Sequence, residues 1–158
     1  MTHYREAVRL LLANDATLTA LATNGVWDFD RVMSQGFGTD GITQNVLMGS
    51  TGMVILPTVY LNWTSETPIY PIKARAKRAM FEVYFYDWDG YATIRQMRQR
   101  VYDLLHEQRV SFDEPANYYC RQIVAAGDVT NQKDAELGGA CFERTRFEAR
   151  LIPLISGV

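Results

Sequence analysis

The chain has 158 residues, 47% hydrophobic and 22% charged, which is long enough to bury a core without disulfides or metals. Its net charge of −2 excludes a general attraction to nucleic acid, so a contact with a polyanion needs a local basic patch. Two cysteines, Cys120 and Cys141, are too few for a disulfide framework or a zinc cluster, and we expect reduced thiols.

The N-terminal third predicts two helices. Residues 3–13 form a helical pattern in which the polar side chains Arg5, Glu6 and Arg9 lie away from an apolar stripe. Asp15 can cap a second, shorter helix that runs to about residue 22, before Asn24-Gly25 ends it and a short strand follows at 26–29. The polar start predicts no secretory signal, and the apolar runs are too short for a membrane span. We therefore expect synthesis in the cytoplasm and no membrane partner.

Residues 34–52 form a long segment with five glycines. A loop of this length inside a compact domain is usually functional or locally disordered. Two interpretations stay open: the segment orders against a neighbouring subunit, or it packs on its own domain as an ordinary excursion. The first makes its apolar residues candidates for an inter-subunit contact, namely Phe37, Ile42, Val46, Leu47 and Met48.

The middle of the chain predicts two strands and a helix. A strand opens after Pro57 and ends in a turn at 64–68. The strand at 78–86 alternates strictly, with Ala79, Phe81, Val83 and Phe85 on one face, and its far end, 87–90, supplies turn chemistry. The helix at 90–107 has one apolar stripe.

The C-terminal part predicts two more strands, at 118–126 and 140–152, joined by a polar loop from Gly127 to Gly139. In the last strand the apolar residues alternate with Arg144, Arg146, Glu148 and Arg150, which should point outward. The order of elements predicts an α+β fold in a single domain, 1–158, with a mainly antiparallel β-sheet and helices packed on one face.

The sequence contains few candidates for a catalytic, metal-binding or nucleotide-binding site. His3 and His106 have no Cys, Asp or Glu at ligand spacing, so neither predicts a metal site. The glycines at 36–38 and 49–52 match neither a Walker A loop nor a dinucleotide fingerprint. Asp87 and Asp89 flank a turn, where aspartate is favoured for backbone reasons. We therefore predict no catalytic residue, no metal, no cofactor and no enzymatic activity.

A basic stretch precedes the strongest strand and contains Lys73, Arg75, Lys77 and Arg78. Such residues can line a channel that carries DNA, because lysine and arginine neutralise phosphates without reading sequence. They can also meet an acidic partner, or form a solvated strand end. By alternation, residues 73, 75 and 77 share the side that Phe81 buries, so either a bulge lies near Ala79 or this end of the strand extends beyond the core. Three tyrosines on the outer side (Tyr60, Tyr84 and Tyr86) suit an interface or half-buried strand positions.

The chain resembles the tail-terminator (tail-completion) family of long-tailed bacteriophages. The resemblance covers most of the chain and lies in the order of local patterns: the first helix, Gly25-Val26-Trp27-Asp28, the strand 57–61 after a variable loop, 81–87 with Gly90, and the closing strand 142–151. The segment 34–52 is longer than in the family pattern.

The resemblance implies a virion protein without an active site that forms a hexameric ring at the head-proximal end of the tail tube. The ring would end tube polymerisation, meet tail-tube and neck or head-completion proteins, and let genomic DNA pass through its lumen without sequence-specific binding. Candidates for these contacts are the 34–52 segment, the basic stretch and the polar loop at 128–138. Alternatives are another neck or adaptor ring protein, a small cytoplasmic enzyme, or a domain that binds peptides along a sheet edge.

Overall fold

The computed structural model describes residues 2–28, 56–69, 76–135 and 139–154. The order of elements in these residues confirms the order predicted from the sequence. The elements are three helices, α1 (Tyr4–Ala13), α2 (Ala16–Leu21) and α3 (Ala92–Leu105), and five strands, β1 (Val26–Asp28), β2 (Thr58–Pro68), β3 (Lys77–Asp87), β4 (Tyr118–Asp134) and β5 (Ala140–Pro153).

The described strands form one sheet in the spatial order β1-β2-β3-β5-β4. Neighbouring strands are antiparallel except for β1, which runs parallel to β2 at one edge. A short parallel strand at the edge of an otherwise antiparallel sheet is a common arrangement. The predicted α+β class is therefore confirmed.

The hydrophobic core lies between one face of the sheet and the helices. The predicted alternation in β3 is confirmed, because Phe81, Val83 and Phe85 are fully buried on this inner face. They share one cluster with Val8 of α1 and Met97 of α3. The helices therefore pack on one face of the sheet, as predicted.

Two strands are longer than the sequence predicts. β2 continues through the predicted turn at 64–68, because residues 65–68 pair with 77–80 after a bulge at Thr64. β4 continues to Asp134 through most of the predicted loop 127–139. Backbone pairing with β5 needs no apolar side chains, and register shifts after Ala125 and Val129 interrupt the alternation by which a strand is recognised.

Arg9 lies closer to the core than predicted, whereas Lys77 lies on the side of β3 that the alternation predicts. Arg9 is buried, with its guanidinium 2.6 Å from a Glu6 carboxylate oxygen, and this ion pair offsets the cost of removing its charge from water. Lys77 lies on the inner side at the start of β3. The pairing of β3 with β5 is unbroken from Lys77 onward, so the bulge that the sequence allowed near Ala79 lies in β2 instead.

Candidate interaction surface

The face of the sheet opposite the core cluster, which we call the outer face, carries the even-numbered residues of β3 and β5. Its side chains fall into two regions. The aromatic region consists of Tyr60, Tyr84, Tyr86 and Phe142. The arginine region consists of Arg78, Arg121, Arg144, Arg146 and Arg150, with Glu82 and Glu148 between them.

The aromatic region is a cluster of rings across three strands. The Tyr84 and Tyr86 rings are stacked with centroids 6.1 Å apart, and the Phe142 ring lies 5.6 Å from that of Tyr86. Cross-strand pairing places these residues side by side, because Tyr86 is opposite Phe142 and Tyr84 is opposite Tyr60. Burial, together with the nearby carboxylate of Asp134, raises the pKa of Tyr86, so its hydroxyl stays neutral at physiological pH.

In the arginine region, each of two carboxylates forms ion pairs with two guanidinium groups. Glu82, whose side chain is 8% exposed, lies 3.3 Å from Arg144 and 3.2 Å from Arg146. It also accepts a 2.9 Å hydrogen bond from the Tyr84 hydroxyl, which couples the two regions. Burial raises the pKa of Tyr84, so this hydroxyl remains a donor.

Glu148 repeats the pattern farther along the same face. Arg78 lies 3.0 Å from its carboxylate and Arg150 lies 3.6 Å from it. The register explains the arrangement, because Arg78 is directly opposite Arg150. Each group of two arginines and one glutamate retains one positive charge.

Arg121 adds a further positive charge at this end of the face. It occupies a register shift between Cys120 and Gln122, and it has no hydrogen bond or ion pair with any described residue. Its side chain helps to line a cavity of about 130 Å³. The lining residues are Ile69, Arg78, Arg121, Glu148, Arg150 and Ile152.

A second polar network lies on the inner face and holds the irregular part of β4 to α3. The Glu143 carboxylate is 1% exposed and accepts hydrogen bonds from Arg98 Nε (3.1 Å) and the Asn131 backbone N–H (3.0 Å). Asp128 accepts from Arg98 (2.8 Å) and from the Thr145 hydroxyl (2.6 Å). Every carboxylate in this network has a partner, so we interpret it as structural. No group of three potential metal ligands occurs among the described residues.

The structure separates the basic residues that the sequence grouped together. Lys77 faces the inner side, where its ammonium lies 3.0 Å from Glu66 and 5.3 Å from the centre of the Tyr118 ring. Arg78 faces the outer side and belongs to the arginine region. Lys73 and Arg75 lie outside the described residues, and so do the candidate inter-subunit residues Phe37, Ile42, Val46, Leu47 and Met48.

The sequence indicated the outward direction of Arg144, Arg146 and Arg150 but not their grouping. Alternating arginines in the last strand were the available signal, but only strand order brings Arg78 and Arg121 beside them. Arg121 was missed because a register shift, which side-chain alternation does not reveal, decides its position.

Comparison with known proteins shows the fold but not the family. No protein-family model matches the sequence, and no curated protein does so. A chain of the "virion of native gene transfer agent (GTA) particle" has a similar fold, with a TM-score of 0.61 and 16% sequence identity. The similarity covers 94% of each chain. In the described part of the chain, each helix is too short or too polar to cross a bilayer.

Proposed function

We propose that this protein is a structural component of a phage-like virion, without enzymatic activity. The observation that carries the proposal is the similarity in fold to a virion chain over nearly the full length of both chains. The resemblance of the sequence to the tail-terminator family supports a more specific role. The protein would form a ring at the head-proximal end of the tail tube, end tube polymerisation, and join the tail to the neck. Its partners would be further copies of itself, tail-tube protein and a neck protein.

Such a ring needs a heterologous contact that closes on itself, with each copy using one patch to bind a different patch of the next. The aromatic region is our candidate for one of these patches, with the partly exposed Tyr84 and Phe142 as its contact residues, since Tyr60 and Tyr86 are buried. Tyrosine and phenylalanine are enriched in protein interfaces, and rings held by cross-strand packing lose little conformational freedom on binding. Other candidates are Lys77, Lys73, Arg75 and the 34–52 segment.

The first test is the mass of the purified protein by light scattering, alone and with tail-tube protein. We expect a particle of six times the 18.0 kDa chain mass, either alone or on the tube. A monomer that ignores tube protein would overturn the ring. Assembly with neck or head-completion protein but not with tube protein would indicate an adaptor ring instead.

A pair of tyrosine variants tests the aromatic region. Tyr84→Ala should abolish assembly, whereas Tyr84→Phe, which keeps the ring, should assemble. The matched control is Tyr102→Ala, because Tyr102 is 40% exposed on α3 and lies on the helix side of the molecule. If Tyr84→Ala folds and assembles like the wild type, the contact lies elsewhere.

A further inference from the structure

The arginine region has more positive charge than its own carboxylates neutralise. Arg144 and Arg146 share Glu82, and Arg78 and Arg150 share Glu148. These two groups and Arg121, which has no partner among the described residues, give a surplus of three positive charges in the described part of this face, on a chain whose net charge is −2. The surplus is therefore local, and an anion is the ligand that fits it.

The arginines are also accessible. The side chains of Arg78, Arg146 and Arg150 are 45%, 53% and 41% exposed. An ion pair with a shared carboxylate holds each of them in position but leaves other N–H groups of the guanidinium free. A planar guanidinium binds phosphate through two parallel hydrogen bonds, which a lysine ammonium does not do.

We propose that the arginine region binds the phosphate backbone of double-stranded DNA. The three surplus charges are spread along the face, one near Glu82 and two around the cavity beside Glu148. An extended series of positive charges suits a polymer that carries a phosphate charge at regular, short intervals. Tyr119, which is 40% exposed, is opposite Ile152, one of the residues that line the cavity. The inference rests on the proposed function only in that a virion component would meet DNA.

The test is the binding of a fluorescent 20-base-pair duplex to the full chain, measured by anisotropy between 50 and 200 mM salt. Removing one phosphate contact should lower the slope of log K against log salt by about 0.9 and weaken binding about tenfold at 50 mM. We expect this for Arg121→Ala, and about twice the change in slope for Arg121→Ala/Arg150→Ala. Binding should not depend on duplex sequence. Arg121 has no partner among the described residues, so its loss should not affect folding, which circular dichroism checks.

Arg109→Ala is the matched control, because Arg109 is an exposed arginine beside α1 on the helix side. Equal losses for Arg109→Ala and Arg121→Ala would show a general charge effect and overturn the site. Absence of duplex binding at 50 mM salt would do so as well. Displacement of duplex by poly-glutamate at a lower charge concentration than by unlabelled duplex would assign the region to an acidic protein. A protein that assembles on tail tubes but fails these tests overturns the DNA site alone.

Discussion

At the scale of single residues, Glu66 joins three elements. Its carboxylate accepts a hydrogen bond from the Tyr4 hydroxyl of α1 and lies 3.0 Å from the ammonium of Lys77 on β3. Burial opposes ionisation of Glu66, but the hydrogen bonds from Tyr4 and Lys77 outweigh it and hold its pKa below the ordinary value of 4.5. Burial and the same hydrogen bond raise the pKa of Tyr4 to about 12.

Replacing Glu66 should therefore change the acid stability of the fold. The lowered pKa means that the unfolded chain binds a proton more tightly, so ionised Glu66 stabilises the native state above pH 4.5 and loses this effect as pH falls through its folded pKa. Glu66→Gln should be less stable than the wild type at pH 7, and the difference should shrink in acid. Urea unfolding at pH 7 and pH 3.5 measures it. Asp103→Asn, at an exposed site on α3, should stay within about 0.5 kcal/mol at both pH values.

Asp87 should behave in the opposite way. Burial at the end of β3 raises its pKa above 3.8, although its Oδ1 accepts a hydrogen bond from the Asp89 backbone N–H (3.2 Å). The folded chain then holds the proton more tightly, so the ionised carboxylate lowers stability as pH rises through its folded pKa. Asp87→Asn retains an acceptor without the charge. We expect it to be at least as stable as the wild type at pH 7 in urea unfolding, and a clear loss there would contradict this account.

At the scale of elements, the outer edge of β4 is covered by the chain that follows α3. The Ile123 backbone bonds to this chain in both directions, donating to Gln108 (2.8 Å) and accepting from Glu107 (2.7 Å). The Ala125 N–H donates to Nδ1 of His106 at 3.0 Å. An exposed edge strand invites pairing with other chains, and these bonds occupy it near its middle. Peptide binding along this part of the edge would require their loss.

The junction of α3 with β4 and β5 depends on Glu143. Glu143→Ala should destabilise the fold by about 2 kcal/mol, because the Asn131 N–H loses its buried acceptor and Arg98 keeps only Asp128. Glu148→Ala is the matched control, being on the same strand but on the outer face with exposed arginine partners. It should cost about 1 kcal/mol or less. If urea unfolding shows the same loss of unfolding free energy for both variants, burial does not make the inner network contribute more to stability than the outer ion pairs.

The elements that the sequence predicts well are those in which one face is buried. Phe81, Val83 and Phe85 mark β3 because each second residue enters the core. The end of β4 carries no such signal, since its residues pair through the backbone and shift register twice. The outer face could be predicted only in part: the direction of Arg146 follows from alternation, but its shared partner Glu82 lies 64 residues away and is set by strand order.

At the scale of the whole molecule, the described strands form one sheet, the described residues share one hydrophobic core cluster, and the sequence predicts a single domain. The two cysteines lie near opposite ends of the β4–β5 ladder, so the reactivity of their thiols can be used to test this prediction. Cys120 pairs with Leu151 at one end, and Cys141 pairs with Lys133 at the other. Both thiols are free and buried, and burial raises the pKa of Cys120, which slows its reaction further.

If the chain unfolds as one cooperative unit, both thiols should become reactive in the same event. Labelling of the single-cysteine variants Cys120→Ala and Cys141→Ala with a disulfide reagent, at increasing urea, gives the free energy of exposing each remaining thiol. After correction for the stability of each variant, the two values should agree within about 0.5 kcal/mol with each other and with global unfolding. Earlier exposure of Cys141 alone would show that the end of the sheet near the aromatic region opens separately. That part of the outer face would then be a segment that orders on assembly rather than a preformed surface, and the Tyr84 variants would report on folding as well as on contact.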